Sequence, residues 1–173
     1  MKILIAYATR RGGVDGLADL LADDLRFLSH DVIVMPAKTV TDISSYGAVI
    51  VGGAVYDGSW HSDANAFVDT FESELSRRPV WLFSARPLTD DEPDELLAPI
   101  VEMHQAALQV HAVSEKCFDA RFHNPQALYQ GSLPYGRRAG DWRDAPAVDR
   151  WAHDIAHELY IKLFRDIGLE HFV

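Results

Sequence analysis

The chain has a single cysteine, Cys117, among 173 residues. One thiol cannot close an internal disulfide, so nothing here calls for an oxidising compartment. Long apolar runs are missing too. The opening MKILIAYA is too short for the core of a cleaved secretory signal and far too short to span a bilayer. The expectation is a cytoplasmic protein with no membrane span. Positive charge is also scarce, with 16 Lys and Arg against 26 Asp and Glu and a formal net charge of −10. So acidic a surface argues against nucleic acid or an anionic membrane as the main partner. Repeats and low-complexity segments are absent, and 48% hydrophobic with 24% charged residues suits one globular domain over residues 1–173.

Several nucleotide and metal signatures are lacking as well. No G-x-G-x-x-G follows the first apolar run, and the second ends in Met35 and Pro36 rather than an acid, which excludes the NAD fingerprint. There is no G-K-[S/T], so the first loop is not a Walker A. A phosphoacceptor receiver needs carboxylates at the first strand end and an Asp ending the third, where IAYAT and VGGAV stand instead. His153 and His157 have the i, i+4 spacing of a metal pair, but with no third ligand in evidence they read as a solvated helix face.

What is present is alternation. KILIAYA (2–8), GAVIVGGAV (47–55) and PVWLFSA (79–85) are short, continuous apolar runs, the pattern of strands covered on both faces. HDVIVMPA (30–37) and LQVHAVSEKCF (108–118) complete a set of five. Between them run helical patterns. The first has Leu17, Leu20, Leu21, Leu25 and Leu28 on one stripe; the second, over 62–75, turns Ala66, Phe67, Phe71 and Leu75 inward. A third covers about 94–107. The last opens with Asp144 as N-cap and Pro146 in its first turn, and buries Val148, Trp151, Ala152, Ile155 and Leu159. Residues 39–47 read as a short helix or loop, and 119–143 as a long loop before the last helix. The fold class is α/β, a three-layer, doubly wound, five-stranded parallel sheet.

Such sheets bind ligands at the carboxyl ends of their strands. Loops 7–14, 53–61 and 84–89 are expected to meet there. In the first, Thr9 offers a hydroxyl, Arg10 and Arg11 offer charge, and Gly12 and Gly13 let the backbone approach an anion, which makes a phosphate cradle. Asp15 follows in the first turn of the helix, where it suits the dipole but slightly opposes a bound dianion. Trp81 and Cys117 read as strand core. Trp60, in a polar loop, reads as an exposed aromatic, and His61 as a locally hydrogen-bonded histidine rather than an acid or base. The apolar excess in YIKLFRDIGLEHFV (160–173) is assigned to covering the chain's own sheet edge, a homodimer contact being the alternative.

Four blocks, YATRRGGVDGLAD, VIVGGAVYDGSWHSDANAFV, VWLFSARPL and GDWRDAPAVDRWAHDIA, resemble the flavodoxin-like proteins grouped with menaquinone-dependent protoporphyrinogen oxidase. They cover nearly the whole chain in order, and the run Gly58 to Ser62 is the most specific. The resemblance implies a flavodoxin-like fold carrying FMN. Thr9, with the backbone amides of Arg11, Gly12, Gly13 and Val14, would wrap the FMN phosphate. Gly53, Ala54, Val55, Tyr56, Asp57, Gly58 and Trp60 would flank the isoalloxazine, with Tyr56 or Trp60 on a ring face and the Asp57-Gly58 peptide turned toward N5. Ser84, Ala85, Arg86 and Pro87 would line the pyrimidine edge, with Arg86 compensating an anionic reduced flavin.

Two departures stand out. Members of the family usually have a hydroxyl residue at the position of Val14, and a lost hydrogen bond to a charged group costs about 1.5–3 kcal/mol. Loop 119–143 lacks the basic, apolar helical insertion of the membrane-associated oxidase, so that enzyme's substrate is not carried over. The implied function is electron transfer or a small FMN-dependent oxidoreductase activity, with a redox partner protein or a quinone as acceptor, in a monomer or homodimer. The alternative is a regulatory or interaction module of the same fold that has lost its flavin. Retained flavin is favoured by the aromatic, glycine-bearing second loop.

Overall fold

The computed structural model describes residues 1–10, 13–86, 100–119 and 145–168. The elements run β1 (Lys2–Ala8), α1 (Val14–Phe27), β2 (Asp31–Pro36), a 3-10 turn (Ala37–Thr39), β3 (Ala48–Tyr56), β4 (Ser59–Trp60), α2 (Ser62–Leu75), β5 (Val80–Arg86), α3 (Val101–Gln109), β6 (Ser114–Asp119) and α4 (Ala145–Asp166). Five strands lie parallel in the order β2-β1-β3-β5-β6, and β4 pairs antiparallel with the end of β3.

The continuous apolar runs build three layers because a strand's period of two divides its side chains between faces. Ile3 and Ile5 of β1, Ala48, Ile50 and Ala54 of β3, and Trp81, Phe83 and Ala85 of β5 join one core with α1 and α4. Leu4, Ala6 and Ala8, Val49, Val51 and Val55, and Val80 and Leu82 join the other with α2 and α3. Both faces are sealed, which is why these strands do not alternate with polar residues.

From α4, Val148, Trp151, Ala152, Ile155 and Leu159 are buried as the 3.6-residue pattern predicts, and α2 spans the residues expected of it. Within α2 one position differs. Ala66 is exposed, and the buried stripe is Ala64, Phe67, Val68, Phe71 and Leu75. The fifth strand begins later than its apolar run, at Ser114, because residues 108 and 109 close α3. Asp144 and all of loop 119–143 after its first residue lie outside the described residues, as do residues 94–99 of the third helical segment. Tyr160 and Leu163 of α4 and Ile167 just beyond it are 58%, 48% and 58% exposed, whereas Ile161 and Phe164 are half-buried, and residues 169–173 of this stretch lie outside the described residues. No helix among the described residues is long and apolar enough to cross a membrane.

The chain leaves β1 for β2 on one side and returns to β3 on the other. Strand order reverses between β1 and β3, and the carboxyl ends of the strands at such a switch point are where open α/β sheets form their ligand crevice. Ala8 stands opposite Gly53, and Gly53 opposite Ser84, which brings all three loop-bearing ends to one level.

Candidate functional site

Two hydrogen bonds tie the three strand ends together. The Arg10 amide donates to the Tyr56 hydroxyl at 3.1 Å, joining the first loop to the second. Trp60 Nε1 donates to the Phe83 carbonyl at 3.3 Å, joining the second to the third.

The second loop is shorter than its sequence suggests. Gly53, Ala54, Val55 and Tyr56 continue β3, and the chain reverses in the two residues Asp57 and Gly58 before Ser59 pairs back with Tyr56. Both turn residues have positive φ, 50° and 78°, as a two-residue hairpin demands, and Asp-Gly is the dipeptide best suited to it. Both are exposed at the tip. Ala54 and Val55 point into opposite cores and offer the crevice only backbone.

Trp60 departs from expectation. It is only 3% exposed and lies against Gly53, where a Cβ would stand 2.3 Å from its Nε1. The glycine leaves room for the indole, which therefore fills the core instead of standing in solvent. Tyr56 is the half-buried aromatic at the crevice, with the Arg10 guanidinium 6.0 Å from its ring centre, within cation–π range.

The first loop reaches α1 through Gly13, whose φ of 102° lies where side chains are strained. Gly13 is the N-cap and has no side chain to cap the helix, so the positive end of the helix dipole faces the crevice. Its own amide donates to Asp15 Oδ1 at 2.6 Å. Val14 is 1% exposed and packs in the α1/α4 core. Thr9 is half-buried and Arg10 exposed. Arg11, Gly12 and Pro87 lie outside the described residues, and Arg86 is described as backbone only.

Ser84 and Ala85, both buried, are the last two residues of β5 before Arg86 ends it. Ser84 Oγ has no hydrogen-bond partner among the described residues, and neither has His61 Nε2. His61 is the N-cap of α2: its Nδ1 accepts the Asp63 amide at 3.0 Å, which leaves the proton of the neutral ring on Nε2. Burial lowers its pKa below the ordinary value of 6.5, and Arg10 and Lys38 push the same way against the opposing pull of Asp63. The ring meets Tyr56 edge-on at 6.0 Å. This is the local hydrogen bond expected of His61, and it takes the form of a helix cap.

Trp81, 1% exposed, lies in the core shared with α1 and α4, and Cys117 is half-buried against the core on the opposite face of the sheet. His153 and His157 are exposed, with His153 Nδ1 2.9 Å from the Asp149 carbonyl oxygen, and no metal-binding cluster occurs among the described residues. The donor set at the crevice fits a phosphate joined to a planar ring: an uncapped helix start, a glycine approach, an arginine, an aromatic face and an unsatisfied hydroxyl at the strand ends.

A family model described as Flavodoxin domain matches residues 4–126. No curated protein matches the chain. Among solved structures, a flavodoxin from the domain Archaea is similar at 14% identity and a TM-score of 0.66, over 92% of this chain and 99% of its own. A short-chain flavodoxin associated with a non-canonical PDU bacterial microcompartment is similar at 16% identity and a TM-score of 0.65, over 91% of this chain and 98% of its own. The Streptococcus pneumonia TIGR4 flavodoxin is 18% identical with a TM-score of 0.61, over 91% and 99%. At such identities the likeness is one of fold.

Proposed function

Because this chain belongs to the flavodoxin-domain family, we propose that it is an FMN-dependent electron carrier or small flavin oxidoreductase, working with a redox partner protein or a small acceptor such as a quinone. Family membership and the likeness to flavodoxins support FMN as the cofactor. When bound, FMN supplies the electron chemistry.

The chain's residues then have holding and tuning roles. Thr9, Gly13 and Val14, with Arg11 and Gly12, take the phosphate through backbone amides, the Thr9 hydroxyl and the α1 dipole. Tyr56 covers a ring face. Trp60 supports the hairpin from below rather than stacking. The exposed Asp57-Gly58 peptide is the one free to turn toward the flavin N5, and Ser84 Oγ, buried without a partner among the described residues, offers a donor at the pyrimidine edge. Arg86 balances negative charge on the reduced ring. No side chain has to act as acid or base, since His61 is already engaged as a helix cap. The net charge of −10 suits docking to a basic redox partner. The grouping with protoporphyrinogen oxidase rests on the sequence blocks alone and assigns no substrate.

The observation that carries this reading is the tying of three strand ends at the β1/β3 switch point by the Arg10–Tyr56 and Trp60–Phe83 hydrogen bonds. Titration with FMN, followed by quenching of flavin fluorescence, tests it. Micromolar or tighter binding, about −8 kcal/mol, is expected; unquenched fluorescence throughout contradicts it. A second reading, a flavin-free module, draws on Val14 and Asp15, which put a buried methyl pair and a carboxylate where a phosphate site needs donors.

A further inference from the structure

The Gly13 amide sits at the N-cap of α1, at the point where the dipole and the chain's approach converge on an anion, and it is taken by the chain itself: Asp15 Oδ1 accepts its proton at 2.6 Å. The Arg10 amide on the same loop is likewise held by an internal oxygen, the Tyr56 hydroxyl. These two acceptors differ. A hydroxyl is neutral and can turn to donate, whereas a carboxylate is an anion with acceptor atoms only. A phosphate that took the Gly13 amide would have to displace Asp15 and remain within a few ångströms of its charge. Gly13 brings no side chain that could intervene, and Val14 has no hydroxyl to add a donor.

From this geometry we propose that Asp15 is a specificity-determining residue of the phosphate cradle, an internal carboxylate that competes with the ligand's phosphate for the Gly13 amide. The inference rests on the FMN reading for its ligand but not for its chemistry, which concerns any phosphate dianion. Its consequence is a site that gains little from the phosphate and so separates FMN from riboflavin, the same ring without phosphate, less sharply than a cradle free of the carboxylate. Like charges a few ångströms apart in a half-buried site are worth a factor of about ten or more in affinity.

Asp15→Asn isolates the charge. The amide side chain keeps an Oδ1 acceptor for the Gly13 N–H, so the turn retains its hydrogen bond. The native chain and the variant are titrated with FMN and riboflavin by fluorescence, and with inorganic phosphate by its effect on the melting temperature. The variant is expected to bind FMN about tenfold tighter, to bind riboflavin unchanged, and to be stabilised by phosphate at lower concentration. FMN binding that is unchanged or weaker in the variant overturns the proposal, as does an equal gain for riboflavin. If neither form binds either flavin, the FMN reading fails separately and the phosphate titration decides: stabilisation of the variant at lower phosphate concentration supports the competing carboxylate, and an equal or absent response in both forms overturns it.

Discussion

Trp60 donates its indole N–H to the carbonyl of Phe83, and the rings of these two residues cover adjacent glycines of β3 from opposite faces of the sheet, Trp60 over Gly53 and Phe83 over Gly52. A Cβ at Gly52 would come within 2.1 Å of the Phe83 ring, as one at Gly53 would come within 2.3 Å of the Trp60 indole. The pair fixes the hairpin against β5 just below the crevice. Phe83 in turn meets Phe118 and Trp151 edge-on, which extends the support through the sheet to α4.

Replacing Trp60 with Phe removes the donor and keeps most of the apolar bulk. The expected loss is about 1 kcal/mol of stability, read from urea unfolding, with weaker FMN binding as the hairpin loosens. Unchanged FMN affinity despite lower stability would detach the hairpin from the site.

Gly53→Ala inserts a methyl group into the indole. Overpacking of this kind costs about 1–3 kcal/mol, and because the strain falls on Trp60 the near-ultraviolet tryptophan signal should change with it. Gly58→Ala meets no neighbour but strains a φ of 78°. It is expected to cost about 1 kcal/mol and leave the tryptophan signal alone.

Val14→Thr restores a hydroxyl at the start of α1. In the free protein the new group is buried where Val14 is 1% exposed, with an expected cost of about 1–2 kcal/mol. FMN binding is expected to tighten about tenfold as the hydroxyl reaches the phosphate. A variant that is destabilised with no gain in affinity shows that position 14 faces the core in the complex as well.

Stability should fall on the acid side. Burial lowers the pKa of His61 and of His30, the latter helped by the N-terminal ammonium, below the ordinary 6.5. As the pH falls through 6.5 the unfolded chain takes up protons first, so stability, fully present above that pH, declines toward the lower folded-state values. His61→Asn keeps a capping acceptor without a titrating ring and is expected to flatten part of the decline between pH 7 and 5. An identical pH slope in the variant would assign the loss elsewhere.

Much of this architecture was legible in the sequence because it is local. KILIAYA is buried on both faces and forms β1 residue for residue, and the α4 stripe follows from helical spacing alone. What escaped depends on partners distant in the chain. Nothing in DGSWHSD shows that Trp60 will be buried, since the space it fills exists only because Gly53, on the strand before it, has no side chain. Ala66 is a different case: the spacing of three and seven from Phe67 and Phe71 places Ala64 on the buried stripe and Ala66 off it, so that position was legible and misassigned. The crevice itself was readable as three loops at strand ends. The bonds that close it, Arg10 to Tyr56 and Trp60 to Phe83, span 46 and 23 residues and were not.

The central claim is that the crevice at the ends of β1, β3 and β5 holds FMN, and the visible absorption spectrum of the freshly purified protein tests it most directly. The account predicts the two bands of a bound flavin, with the released pigment identified as FMN by its mass. A colourless protein that stays colourless after incubation with excess FMN and removal of the unbound flavin contradicts it.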